Sequence, residues 1–307
     1  MIGIQEITFS DYLMGCRLLL PPLGSYYVHQ SFTKDGILLG AHTGDQLVGI
    51  VVIEFTLQPL LTYVFVEEKY RRQSIGTQLI KVAMIHARGK SKEEIKACVI
   101  PQIEYGYVTD HMLNKIGFEI LDTATIIRYA NDTSCSRGWT EFMEKRGKRV
   151  CQALIERGFK TLPFSEASSE IFDRLKASIG REFQSNLDPF GFITNQYDRL
   201  VPEYSFVTLK NGEPVAFATV TTVDDKTLVF QQLSTALNYR GSGAFLLPFV
   251  AFMERFLQGD AYSKVAASIS DSNDRMQKVV HSFIGSLAES MKTQNNYKAN
   301  CQTIGKD

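Results

Sequence analysis

The sequence predicts an α/β protein with mixed α+β sheets, built as two tandem copies of one unit. Three observations carry this. Short β-branched or alternating runs interleave with helical apolar patterns along the chain. The order hairpin, strand, Tyr-Arg turn, helix occurs once in each half, and recurrence of a whole order points to duplication. Finally, 307 residues is long for one core and comfortable for two domains of roughly 150 residues each.

In the first half, Gln5 to Phe9 reads as a strand and Asp11 to Leu20 as a helix stopped by Pro21-Pro22. Gly36 to His42 and the β-branched run Gln46 to Phe55 flank Thr43-Gly44-Asp45, which makes a hairpin. Leu61 to Val66 is the next strand, and Ile75 to about Arg88 a helix. A short strand Ala97 to Ile100 follows, then a helix from Tyr105 to Lys115 closed by Gly117. Phe118 to Tyr129 alternates as a final strand pair. Ala130 to Arg137 is small and polar, a linker start, and Trp139 to Arg157 is an amphipathic helix.

The second half repeats the order. Phe159 to Phe164 is a strand and Glu170 to Phe183 a helix. Tyr204 to Leu209 and Pro214 to Val223 form a hairpin about Asn211-Gly212, the strongest short-range hairpin signal. Thr227 to Leu233 is a strand, Phe245 to Leu257 a helix, Val265 to Ile269 a strand and Asn273 to Phe283 a helix. The expected domains are residues 1–130, a linker and bridging helix at 131–158, and 159–307.

Composition excludes several classes. Apolar content of 44% and charged content of 21% are those of a globular chain. Lys+Arg and Asp+Glu both number 33, so there is no global electrostatic drive toward nucleic acid. No secretory signal is visible, and no run reaches the ~18 apolar residues of a membrane span. The richest window, Phe245 to Phe256, is broken by Pro248, Glu254 and Arg255. Five scattered cysteines, Cys16, Cys98, Cys135, Cys151 and Cys301, lack metal spacing. They read as reduced cytoplasmic thiols, with no metal site.

The chemistry concentrates between Val66 and Leu79. A strand enters a basic turn, and a helix leaves it. Turn amides and the positive end of a helix make a natural phosphate cradle, to which Arg71 and Arg72 add charge-assisted donors. Basic turns are also common on ordinary surfaces.

Arg71-Arg72-Gln73-Ser74-Ile75-Gly76, its echo Arg240-Gly241-Ser242-Gly243-Ala244-Phe245, and Leu113-Asn114-Lys115-Ile116-Gly117-Phe118 resemble motifs of the GNAT superfamily of acyl-CoA-dependent N-acyltransferases. Its signature is Arg/Gln-x-x-Gly-x-Gly/Ala between the fourth strand and the following helix. The resemblance implies two GNAT-like domains. Each would be a splayed, mostly antiparallel sheet flanked by helices, with acetyl-CoA wedged between the fourth and fifth strands. It assigns cofactor contacts to Val64, Phe65, Val66, Arg71, Arg72, Gln73, Ser74, Ile75, Gly76 and Thr77. Both copies depart from the signature: Ser74 replaces the first glycine of one, Phe245 the last small residue of the other. A phenylalanine there would crowd phosphate or pantetheine, so the first copy is expected to bind the cofactor and the second to be degenerate.

The family's usual tyrosine acid is missing, because Leu113 stands at its place, with Val280 or His281 near the matching place in the second copy. Tyr105 and Tyr107 are the nearby alternatives, each also readable as a packing residue. Leu60 occupies a frequent position of the base, leaving Glu54 as the substitute, while Glu67 and Glu68 read as solvent-facing. His42, His86 and His111 are isolated. The resemblance implies acetyl transfer to a primary amine of a small molecule by direct attack in a ternary complex. The second domain would complete the substrate cleft or support a homodimer. The alternatives are a non-catalytic acyl-CoA-binding module and a transferase for a longer acyl chain.

Overall fold

The computed structural model describes residues 2–14, 20, 28–29, 31–32, 35–55, 58–90, 92–103, 105–185, 189, 200–222, 224–281 and 285–303. In chain order the elements begin with β1 (Ile2–Glu6), α1 (Phe9–Met14), β2 (Gly36–Thr43), β3 (Gln46–Glu54), β4 (Leu60–Val66), α2 (Ile75–Gly89), β5 (Glu94–Val99), α3 (Gly106–Lys115) and β6 (Glu119–Ala130). They continue with α4 (Thr133–Phe142), a π-helical turn at Met143–Gly147, α5 (Lys148–Glu156), β7 (Phe159–Pro163), α6 (Ser169–Ser178), β8 (Phe206–Lys210), β9 (Glu213–Thr222) and β10 (Thr227–Thr235). The last are α7 (Leu246–Gln258), β11 (Lys264–Ser270), α8 (Asp274–Val279) and β12 (Ser290–Asn300). Two compact units result, Met1–Ala124 with Thr293–Asp307, and Thr125–Lys292.

In the first unit the strand order is β1-β2-β3-β4-β5-β12, with the leading half of β6 beside β12. From β1 to β12 the neighbours run antiparallel except β4 and β5, which are parallel. The β3 run from Val48 to Ile53 carries no polar side chain because both its faces are buried. Val51 and Ile53 pack with Leu79, Ile80, Ala83 and Met84 of α2, at helical spacing. Ile50 and Val52 pack with Ile7, Tyr12 and Leu38. Each such side chain, fully buried, stabilises the fold by about 1.5–3 kcal/mol.

The second unit has the order β6-β11-β10-β9-β8-β7. Its hairpin turns through Asn211 (φ 52°) and Gly212 (φ 82°), the two left-handed residues a two-residue turn of matching twist demands. Helix α7 buries Leu247, Phe249, Val250, Phe252, Met253 and Phe256.

Several expectations shift. The first strand ends at Glu6, because Thr8 and Asp11 form a reciprocal cap: Asp11 N–H donates to Thr8 Oγ1 at 3.2 Å and Thr8 N–H to Asp11 Oδ2 at 3.0 Å. The helix expected from Asp11 to Leu20 is seen as α1, and its remainder, like Pro21-Pro22, falls largely outside the described residues. Phe118 to Tyr129 holds one strand of 12 residues rather than a pair. The small polar segment after Ala130 is a helix cap, not a linker: Cys135 N–H donates to Asp132 Oδ1 at 2.8 Å. The segment 131–158 lies within the second unit, and the tail from Thr293 joins the first, so the units differ from the boundaries 1–130, 131–158 and 159–307. No helix among the described residues is long and apolar enough to cross a membrane.

Candidate functional site

The basic turn begins with a 3-10 turn at Glu68–Tyr70 and enters α2 at Ile75. Arg72 and Ser74 both hold left-handed backbone, at φ 65° and φ 61°. The echo follows the same track: a 3-10 turn at Leu237–Tyr239, then Gly241 at φ 83° and Gly243 at φ 85°. The two turns therefore share one backbone path. The second supplies glycine at both left-handed positions, and the first forces an arginine and a serine into them.

Each unit also has a bulge in its fourth strand, at Thr62 between the pairs Val52–Tyr63 and Ile53–Leu61, and at Gln231 between Phe230–Val220 and Gln232–Thr219. Both bulges lie nine positions before the turn arginine, Arg71 or Arg240. The repeat thus extends to single residues.

The gap that these turns overlook is set by strand pairing. Parallel pairing of β4 with β5 is confined to Leu60–Lys96 and Leu61–Ala97, and beyond it the strands part. Glu67 N–H donates to Val48 C=O at 2.9 Å. Antiparallel alternation then directs the backbone of Phe65 to β3, and that of Val64 and Val66 away from β3 into the gap. The side chain of Phe65 packs with the cluster around Ile50 and Val52.

At the mouth of the gap, the Nε of Arg71 donates to the Val66 carbonyl at 3.0 Å, and its guanidinium lies 4.4 Å from the centre of the Tyr105 ring. Tyr105 holds a left-handed backbone at φ 61° immediately before α3. The next residue, Gly106, leaves no room for a side chain, since a Cβ there would come within 2.1 Å of the Ile100 carbonyl oxygen. Arg72, Gln73 and Ser74 are exposed, and Ile75 is buried in the core while Gly76 and Thr77 are half-buried. The amides of Ile75, Gly76 and Thr77 have no protein acceptor among the described residues, as expected of a helix start. A Cβ on Gly76 would meet Met112 Sδ at 3.0 Å, so this glycine keeps the space between α2 and α3 open.

Glu54 lies at the other end of β4, opposite Leu60. The six steps from Leu60 to Val66 separate it from the Arg71–Tyr105 stack by roughly 20 Å along the strand; the fold does not bring Glu54 and Tyr105 together. Leu113 is fully buried. Glu68 is exposed, whereas Glu67 is half-buried and pairs with Lys69 at 3.1 Å. His42 and His86 are half-buried, and His111 and Tyr107 are exposed.

Sequence reasoning missed Tyr297, on β12. Its hydroxyl donates to Asp110 Oδ1 at 2.5 Å, and Asn295 Nδ2 donates to the same oxygen at 2.7 Å. Burial first, then the bond to the Asp110 carboxylate, pushes this phenol above its ordinary value. The pair fastens α3 to the strand beside β5. The polar sequence of β12 hides it: Tyr297 and Ala299 are its buried residues.

In the second unit the echo is closed by its own side chain. Ser242 Oγ accepts the Ala244 N–H at 3.2 Å and donates to the Tyr239 carbonyl at 2.6 Å.

Residues 8–104 match the acetyltransferase (GNAT) family. No curated protein matches the sequence. Among solved structures, a tandem GNAT protein from the clavulanic acid biosynthesis pathway, without acetyl-CoA, is similar at a TM-score of 0.68 and 11% identity, covering 98% of this chain and 99% of its own. The GCN5-related glucosamine N-acetyltransferase region of a fungal multi-domain GH3 β-N-acetylglucosaminidase is similar at 0.67 and 14%, covering 97% of this chain and 38% of that one. A GCN5-related N-acetyltransferase from Sphaerobacter thermophilus gives 0.58 and 11%, covering 86% and 80%. These likenesses establish the fold.

Proposed function

We propose that this chain, whose residues 8–104 match the acetyltransferase (GNAT) family and whose fold is that of tandem GNAT proteins, binds acetyl-CoA in its first unit and transfers the acetyl group to a primary amine of a small molecule. The observation that carries this reading is the opening of β4 from β5 after Leu61–Ala97, directly below the amide-lined start of α2. The pyrophosphate is assigned to the amides of Ile75, Gly76 and Thr77, with Arg72 as the exposed cation above them. The pantetheine arm is assigned to the gap-facing backbone of Val64 and Val66, where it continues the ladder as a strand would. The stack with Arg71 favours a positioning role for Tyr105 at the mouth over proton transfer at the thioester.

Acetyl transfer needs a neutral amine. Its lone pair attacks the thioester carbonyl, the C–S bond breaks, and the thiolate leaves and takes up a proton. Glu54, opposite Leu60 at the end of β4 where β4 and β5 are still paired, is proposed as the group that takes the amine's proton, through water. A cysteine-bound acetyl intermediate is disfavoured at the four cysteines among the described residues. Burial pushes Cys135 and Cys151 from 9.0 up to about 11, and raises Cys98 and Cys301 as well, which leaves little thiolate near neutrality.

The self-capped turn with Phe245 supports a second unit that does not hold CoA. A panel of primary amines assayed for free thiol release from acetyl-CoA tests the reading. Release with at least one small amine is expected. Tight acetyl-CoA binding without release for any amine favours the non-catalytic module instead, and tighter binding of long-chain acyl-CoA the longer-chain transferase.

A further inference from the structure

The segment at the mouth of the first unit's gap presents apolar surface that the fold does not bury. Ile103, Tyr105, Tyr107 and Val108 are 40, 51, 68 and 65% exposed. Elsewhere among the described residues, exposed large apolar side chains stand singly or as adjacent pairs, as Leu13–Met14 and Ile120–Leu121 do. Single exposed apolar residues are ordinary, whereas a concentration of them marks a binding surface. These side chains face solvent, so a flat ligand reaches them without any rearrangement.

The backbone is strained at the same place. Tyr105 is the N-cap of α3 at φ 61°, and its side chain makes no capping bond. Left-handed backbone is unfavourable for a residue with a Cβ. The second unit makes the equivalent junction, between β11 and α8, without that strain. There Asn273, at a negative φ of −89°, caps the helix by accepting the Met276 N–H at 3.2 Å. The residues before it, Ser270, Asp271 and Ser272, are polar. Tyr105 neither caps its helix nor fills a core, and strain kept at such a position points to a ligand. Its ring already carries the Arg71 guanidinium, 4.4 Å from its centre, and that guanidinium is fixed by its bond to the Val66 carbonyl.

We propose that Tyr105, with Tyr107 and Val108 next in sequence, is the platform on which the purine base of the cofactor stacks; this rests on the first unit binding acetyl-CoA. Every base has a π-face that stacks on an aromatic ring, and an arginine at the ring reinforces the stack. The spacing suits this occupant. Gly76, whose amide belongs to the pyrophosphate cradle, faces Met112 of α3. Tyr105 stands seven positions before Met112, which is about 10 Å along a helix. A base is joined to its 5′ phosphate through one ribose, which fits that interval.

The test uses adenosine 3′,5′-bisphosphate, the nucleotide part of CoA, titrated into the full chain and followed by proton NMR. The purine H2 and H8 signals should move upfield, under the ring current of the tyrosine, with a Kd of about 1 mM or tighter. Tyr105→Leu should remove most of that shift and raise the Kd for acetyl-CoA about ten-fold. Tyr105→Phe, which keeps the ring, should retain both. The Kd of 4′-phosphopantetheine, which lacks the base, should change less than about three-fold in Tyr105→Leu. Acetyl-CoA binding with unshifted purine signals overturns the stack and leaves the proposed function standing. Equal weakening of acetyl-CoA and 4′-phosphopantetheine in Tyr105→Leu also overturns it, by reducing the tyrosine to a support for Arg71. So does a dimer that Tyr107→Ala dissociates while the purine signals stay unshifted, which would give the patch to a second copy. No acetyl-CoA binding at all overturns the proposed function and the stack together.

Discussion

The guanidinium of Arg71 is held between the Val66 carbonyl, at 3.0 Å, and the ring of Tyr105, at 4.4 Å. One side chain thus ties the end of β4 to the segment that follows β5, across the mouth of the gap between them. Its cation is engaged within the fold, whereas Arg72 is exposed, which is why the proposal gives the phosphate to Arg72.

Arg71→Ala removes a charge-assisted hydrogen bond and a cation–π contact, together about 2 kcal/mol. Its Kd for acetyl-CoA, measured by calorimetry, should rise roughly ten- to thirty-fold. Tyr105→Phe keeps the stacked ring and should change that Kd less than about three-fold. A large fall in kcat for Tyr105→Phe would return the proton-donor role to its hydroxyl.

Glu54→Gln leaves the cofactor cradle untouched. Acetyl-CoA affinity should be unchanged, while kcat/KM falls by about 100-fold or more. The acid limb of the pH–rate profile should move with it; a variant that keeps the wild-type profile is not missing its base.

Ser74 holds φ 61° without a capping bond from its side chain. Ser74→Gly relieves that backbone, and the melting temperature should rise by the equivalent of about 1 kcal/mol. The converse change at the echo, Gly243→Ser, should lower it, because a Cβ there also comes within 3.3 Å of Val150 Cγ1.

Alkaline pH should destabilise the second unit. Burial raises the Cys135 and Cys151 thiols from 9.0 to about 11. A raised folded-state value means stability is intact below pH 9 and is lost as pH climbs from 9 toward 11, because the unfolded chain ionises first. Tyr129, pushed above the tyrosine range by burial, extends the loss to higher pH. Melts at pH 8 and pH 10.5 should show a smaller drop for the Cys135→Ala/Cys151→Ala double variant than for the wild type.

Much of this fold was legible because its signals are local. The Asn211-Gly212 turn, the β-branched run of β3 and the 3.6-residue spacing on α2 each announce one element. The turn at Arg71 was legible for the same reason, and its duplication at Arg240 supplied the tandem order. Long-range placement was not. The strand Ser290–Asn300 carries lysine, glutamine and asparagine at most positions, so no hydrophobic period marks it. Its place beside β5 is specified by Tyr297 meeting Asp110, more than 180 residues away. The left-handed backbone of Ser74 was equally hidden, since serine does not advertise it as glycine does.

The most direct test is the stoichiometry of acetyl-CoA binding to the full chain by calorimetry, for the wild type, Gly76→Trp and Arg240→Ala. One cofactor per chain is predicted for the wild type and for Arg240→Ala. None is predicted for Gly76→Trp, whose indole fills the space facing Met112. Two sites in the wild type falling to one in Arg240→Ala, or full binding by Gly76→Trp, would contradict the assignment of the cofactor to the first unit.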